Sequence, residues 1–144
     1  MKIKSVFDDN EKIPPKYTCD GKNVNPPLEF IDVPKNAKSL VLIVEDPDSP
    51  SGVWSHWVMW GIPANTRRIP EDSVPSNAVE GVNDFGDYGY GGPCPHSGTH
   101  RYQFKLYALD IELNSSKDMT KNNIENAIKF HIIDKASLIG LYSR

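Results

Sequence analysis

Three segments of this chain gather residues able to do chemistry: "EDPDSPSG" (45–52), "WSHW" (54–57) and "GYGGPCPHSGTHRY" (89–102). The first puts Asp46 and Asp48 on either side of Pro47, the second carries His56, and the third sets Cys94, His96 and His100 among glycines and prolines. A metal reading of the third segment takes one thiolate and two imidazoles, a donor set that suits zinc. It lacks a second paired cysteine element, and Pro93 and Pro95 stiffen the backbone. A nucleophile reading pairs Cys94 or Ser97 with His100, without a G-x-S-x-G elbow or an oxyanion-hole signature. A pocket reading uses backbone N–H groups around Gly91 and Gly92 as an anion nest, with His100 and Tyr102 adding side-chain donors. The bland alternative is a glycine-proline loop with incidental polar residues.

The other two segments have bland readings as well. Asp, Ser, Pro and Gly are all turn formers, and Pro47 keeps Asp46 extended. A lone histidine on an aromatic strand is more often a satisfied core residue than a functional one. His56, however, lies ten residues beyond Asp46 across a Pro/Gly turn. A hairpin return would bring carboxylates beside its ring and favour the imidazolium.

Strands are the main elements available to position these groups. The pattern of apolar residues predicts strands over 3–7, 28–31, 39–46, 53–62 and 101–111. "SLVLIVED" (39–46) has no polar alternation and reads as buried on both faces. Alternation over 53–62 predicts Trp54, His56, Val58, Trp60 and Ile62 on one face, with Val53, Ser55, Trp57 and Met59 on the other. Over 101–111, Tyr102, Phe104, Leu106 and Ala108 share a face. One helix is expected over 120–134, capped by Thr120, with Ile124, Ala127, Ile128 and His131/Ile132 as its apolar stripe. A short apolar tail, "ASLIGLYSR", follows.

The 144 residues fit one domain, 1–144, large enough to fold without a disulfide or metal. Twelve prolines and ten glycines favour many turns, and five Phe, three Trp and six Tyr add core volume. A net charge of −3 with no Lys/Arg block argues against nucleic acid as the main partner. The N-terminus lacks an apolar signal-peptide core, and "LVLIV" is too short to span a bilayer. A cytoplasmic location is expected, and Cys19 and Cys94 are then expected as free thiols, although one disulfide is open to them. "NSS" (114–116) fits a glycosylation pattern that means little without a secretory signal. The three tryptophans leave room for a homodimer face.

In order, "DPDSPSG", "WSHW" and "GYGGPCPHSGTHRY" resemble the motifs of the phosphatidylethanolamine-binding protein family, also called Raf-kinase-inhibitor-like proteins. The matches are D-P-D-x-P at the first segment, W-x-H through Trp54 and His56, and G-P-x-x-x-x-G-x-H-R-Y through Gly92, Pro93, Gly98, His100, Arg101 and Tyr102. "YTCDGKNVNPPLEF" (17–30) and "LIGLYSR" resemble the short prokaryotic branch. The resemblance covers nearly the whole chain.

It implies a mostly β fold, a large central sheet packed on a smaller one, with one or two peripheral helices. It also implies a non-catalytic protein whose pocket binds small anions or phosphorylated head groups, lined by Asp46, Asp48, His56, Gly92, Pro93, His100 and Tyr102. No cofactor is implied, and Cys94 and His96 receive no role. Mammalian members continue into a C-terminal helix over the pocket; this chain stops at Arg144, so a more open pocket and a weaker lipid preference are expected. Two other function classes stand beside this one. Relatives bind kinases and some inhibit serine proteases, and a hydrolase or metal enzyme could use the His/Asp cluster. Two carboxylates beside an anion repel it unless offset. The expected offsets are protonated His56 or His100, nest amides near Gly92, or a proton shared with the ligand. Anion affinity is then expected to rise as pH falls through the histidine range.

Overall fold

The apolar run 39–46 forms the centre of the molecule because every one of its residues is buried. In the computed structural model, which describes residues 1–113, 116 and 118–144, the strands are β1 (Lys2–Lys4), β2 (Glu11–Lys12), β3 (Leu28–Ile31), β4 (Ser39–Asp46), β5 (Trp54–Pro63), β6 (Arg68–Ile69), β7 (Val79–Glu80), β8 (Thr99–Leu109) and β9 (Ile132–Ser143). The helix α1 (Lys121–Ile128) lies between β8 and β9. Six strands form one sheet in the order β2-β9-β8-β4-β5-β7, and three form a second in the order β1-β3-β6. The mostly β, two-sheet expectation holds. The acceptor of the 114–116 glycosylation pattern, Asn114, lies outside the described residues.

Burial on both faces of β4 follows from what covers them. Leu40, Leu42 and Val44 join Phe104, Leu106 and Ala108 of β8 in a core shared with Ile3, Leu28, Phe30 and Ile69 of the smaller sheet. Val41 and Ile43 face the other way, into a second core with Ile124 and Ile128 of α1. The alternation read from 101–111 is therefore present in β8. Glu45 also points to the helix side, where it pairs with Lys105 and, at 2.7 Å, with Lys121 of α1. Burial opposes its charge, but the two ammonium groups more than offset this and hold its pKa below the ordinary value.

The faces of β5 depart from simple alternation. Val44 pairs with Trp57 and Glu45 with Ser55, so His56 is an extra residue in the strand. Leu40 pairs with Ile62 and Leu42 with Met59, so Trp60 and Gly61 stand opposite Val41 alone. Gly61 has φ +65°, the left-handed conformation that such a bulge favours. Each insertion reverses the in-out order. Val58 and Trp60 pack on the helix side, whereas Trp57, Met59 and Ile62 lie between the sheets. A period-2 reading cannot register an inserted residue.

The strand expected over 3–7 is shorter, ending at Lys4, while Phe7 remains in the core. The helix is also shorter than 120–134. Thr120 caps it as expected, through a capping box with Asn123, but it stops at Ile128. From Ile132 the chain enters β9 and pairs with β8 from Leu109 back to Thr99. The hydrogen bonds of that long ladder outweigh the helical continuation that His131 and Ile132 suggested. The apolar tail is the inner half of β9, with Leu138 and Tyr142 in the core.

Cys19 and Cys94 form a disulfide, which corrects the free-thiol expectation. The Cys19 amide donates to the Pro93 carbonyl at 3.1 Å, drawing two distant segments together, and the Cα atoms lie 5.5 Å apart. That spacing is well within bridging range. A reducing cytosol disfavours such a bridge, so the disulfide runs against the premise from which free thiols were expected. No helix among the described residues is long and apolar enough to cross a membrane. The bridge spans 75 residues of sequence, and a loop of that size constrains the unfolded chain strongly. Replacing both cysteines by serine is expected to lower unfolding stability by about 2–4 kcal/mol, seen as a lower urea midpoint; an unchanged midpoint would contradict the bridge.

Candidate functional site

Asp46, His56, His100 and Tyr102 converge where β4, β5 and β8 run out of the inter-sheet core. They line a cavity of about 200 Å³ together with Ser49, Pro50, Ser51, Trp54, Phe85 and the 94–96 segment. Tyr102 and His100 are two residues apart on β8, so both sit on the face that carries Phe104. Asp46 occupies the last position of β4. His56 reaches the same face because it is the inserted residue of the β5 bulge; its ring meets that of Tyr102 edge-on at 5.2 Å. Bulges often re-aim a side chain beside a functional site.

A long loop holds the bulge in place. The Gly91 amide donates to the His56 carbonyl at 2.9 Å, and His56 Nδ1 lies 2.7 Å from the Gly91 carbonyl oxygen. Ser55 is held likewise: its amide donates to an Asp84 carboxylate oxygen at 2.6 Å, and its carbonyl accepts from the Asp84 amide at 2.9 Å. Asn83, buried, organises the loop. Its Oδ1 accepts from the amides of Phe85 and Asp87, and its Nδ2 donates to the Gly89 carbonyl. Phe85 is thereby set against both His56, at 5.3 Å, and Trp54, at 5.5 Å.

The carboxylates are already engaged. Asp46 accepts at Oδ1 from the Asp48 amide, 2.8 Å, and at Oδ2 from His100 Nδ1, 2.6 Å. The first bond makes "DPDSPSG" the turn its composition suggested. Asp48 faces away from the cavity. Its carboxylate accepts from the amide, Nε and Nη2 of Arg101 at 2.8–2.9 Å. The guanidinium holds the Asp48 carboxyl down at about 2. Arg101, matched in the sequence but given no role there, is the counter-charge that pairs with Asp48.

Gly92 and Pro93 do not line the cavity. The Gly92 amide donates to Asn23 Oδ1 at 2.8 Å and the Gly91 amide to His56, so the expected nest has no free donors. Gly92 serves packing instead. A Cβ there would stand 2.4 Å from the Tyr17 carbonyl oxygen, closer than real contacts allow. Cys94 and His96, left without a role, do line the cavity. Cys94 reaches it as half of the disulfide, so it offers no thiolate to either the metal or the nucleophile reading. Ser97 is exposed. Among the described residues no group of three or more His, Cys, Asp or Glu is placed to hold a metal ion.

The histidines differ in environment. Burial pushes the His56 pKa below its ordinary value, against the opposing pulls of the Gly91 carbonyl and the Asp46 carboxylate. It is therefore neutral at pH 7, which removes protonated His56 from the expected offsets. Burial, seconded by the Asp46 charge, raises the Tyr102 hydroxyl well above its usual range and keeps it neutral. Trp54, Phe85 and Asn83 are site residues that sequence reasoning did not select. The turn-rich "NDFGDYGYGG" (83–92) marked the loop but not which side chains it would turn inward.

A two-sheet β protein with a small His/Asp pocket at the strand ends is the class that this fold and site define. The chain belongs to the phosphatidylethanolamine-binding protein family, whose model matches residues 3–143. A UPF0098 protein of Methanothermobacter thermautotrophicus is 47% identical over an alignment covering all of this chain and 99% of the relative. The UPF0098 protein of Pyrococcus horikoshii is 46% identical, covering all of this chain and 77% of that one. Among solved structures, a phosphatidylethanolamine-binding protein homolog from Chlamydia trachomatis superposes with a TM-score of 0.95 at 42% identity, covering 99% of this chain and 97% of that one. YbcL of E. coli, described as a member of the mammalian family, gives 0.92 at 31% identity, covering 99% and 98%.

The Asp48–Arg101 clamp has a pH signature. Its folded-state pKa, about 2, lies below the ordinary 3.8. The stabilisation it adds is complete above the ordinary carboxylate range and is lost as pH falls toward about 2. Urea unfolding of Asp48→Asn beside the unsubstituted protein is expected to show a deficit at pH 6 that narrows as pH falls from 3.8 to about 2. A deficit independent of pH would remove the charge from the account.

Proposed function

We propose that this chain is a non-catalytic binding protein for a small oxyanion, a phosphate or a phosphorylated head group, held in the Asp46–His56–His100–Tyr102 cavity. One observation carries the reading. Both histidines have Nδ1 engaged by the protein, His56 by the Gly91 carbonyl and His100 by Asp46. Each ring is thereby anchored through Nδ1, and Nε2 is the nitrogen it can offer in the cavity that both rings line. The cavity, about 200 Å³, is below the roughly 300 Å³ at which pockets for drug-sized ligands begin. It suits a head group rather than a whole lipid.

Asp46 orients His100 through Nδ1 and leaves its other ring nitrogen for the anion. Arg101 neutralises Asp48, and Trp54, Phe85 and Pro95 supply an apolar rim. In this arrangement Asp48, Gly92 and Pro93 act by shaping the site and do not touch the ligand.

Calorimetric titration at pH 7 with inorganic phosphate and with phosphorylethanolamine tests the reading. Saturable binding of at least one is expected, with tighter binding of the ester pointing to head groups and of the free ion to phosphate. His100→Ala is expected to weaken binding tenfold or more, on the order of a lost charge-assisted hydrogen bond, in a variant that circular dichroism shows to be folded. A folded His100→Ala variant that binds as well as the unsubstituted protein would contradict the reading.

A further inference from the structure

The protein fixes which ring nitrogen of His56 carries the proton. A carbonyl oxygen can only accept, so the 2.7 Å contact with Gly91 places the hydrogen on Nδ1. Neutral His56 then presents a lone pair, and no donor, at Nε2. The neighbourhood works against a second proton reaching that nitrogen. His56 is only 3% exposed, and burial, the leading influence, lowers its pKa against the opposing pulls of the Gly91 backbone, the Asp46 charge, the Gly92 backbone and the Asp84 charge. The groups around it are Asp46 from β4, His100 and Tyr102 from β8, and Asp84 and Phe85 from the 81–98 loop.

A tetrahedral oxyanion in this cavity meets two unlike partners. His100 is oriented through Nδ1 by Asp46, and a second proton on its ring would place an N–H at Nε2. His56 offers only an acceptor. An anion bearing a hydroxyl satisfies both, donating its O–H to His56 Nε2 and accepting at another oxygen from His100. An anion with no proton sets an oxygen lone pair against the lone pair of His56. The mismatch leaves an acceptor unsatisfied in a largely buried site, and discrimination of that kind is steep.

We infer that His56 is a specificity-determining residue which makes the site select an oxyanion carrying its own proton, hydrogen phosphate or a singly protonated phosphate monoester, over an unprotonated one such as sulfate. The inference rests on the anion-binding reading proposed above. Phosphate and sulfate have nearly the same size and shape, so the proton is the feature that can tell them apart.

Calorimetry on the intact protein at pH 7 and constant ionic strength, with inorganic phosphate and sulfate as separate titrants, tests it. Phosphate is expected to bind at least about tenfold more tightly. Arsenate, which keeps a hydroxyl at this pH, should group with phosphate, and selenate, which does not, with sulfate. His56→Gln places an amide N–H where Nε2 stood, and the phosphate preference is expected to fall toward one as sulfate gains. Circular dichroism establishes that the variant is folded. Should it not fold, the four-anion pattern of the unsubstituted protein decides the matter alone. Equal affinity for phosphate and sulfate overturns this inference and leaves the anion-binding reading standing. Binding of none of the four anions overturns both. An undiminished preference in folded His56→Gln also overturns it, since the discrimination would then lie elsewhere.

Discussion

The two-way hydrogen bonding between His56 and Gly91 is the contact on which the site depends. The Gly91 amide donates to the His56 carbonyl, and the His56 ring meets the Gly91 carbonyl. A bulge leaves its inserted residue without ladder partners, and buried backbone groups in that state are costly. Here the 81–98 loop supplies the partners, and the same bonds that stabilise the bulge fix the ring's orientation and tautomer. The disulfide from Cys94 to Cys19 and the Asn23 bond to Gly92 then anchor the far end of the loop. The fold thus spends its irregular backbone where it positions one imidazole.

Electrostatics around the cavity follow from pairing. Two aspartates two residues apart would repel an anion if both faced it. Asp48 is turned outward and held by three bonds from Arg101, while Asp46 gives one oxygen to the Asp48 amide and the other to His100. The carboxylate nearest the cavity therefore serves as the orienting partner of a histidine. An Asp–His pair of this kind is also the orienting half of a catalytic base. Here the neighbouring cysteine is oxidised into the bridge, so the pair lacks a thiolate to activate.

Much of this was legible in the sequence because it depends on local pattern. The uninterrupted apolar run of β4 predicted burial on both faces, and the alternation of Tyr102, Phe104, Leu106 and Ala108 placed β8 correctly. The motifs around Asp46, His56 and His100 indicated the family, and the turn at Pro47 was read from composition. What could not be read depends on register or on distant neighbours. A bulge shifts the period by one without changing composition, so the side of β5 taken by His56 and Ile62 was misassigned. Ile132 continued the helical stripe by coincidence, and only its pairing with β8 shows that it begins a strand. Cys19 and Cys94 come together through the Cys19–Pro93 backbone bond, which a separation of 75 residues conceals. The nest near Gly92 failed because its amides were already claimed by Asn23 and His56.

The central claim is that the protein occupies Nδ1 of both cavity histidines and leaves Nε2 to the ligand. Nitrogen-15 NMR of the imidazole rings reads this directly, because the two nitrogens of a neutral ring differ widely in shift. At pH 7 the account predicts His56 as the neutral tautomer protonated at Nδ1, with phosphate perturbing Nε2 of His56 and His100 and leaving the remote His131 unmoved. A His56 protonated at Nε2, or phosphate responses that bypass both cavity rings, would contradict it.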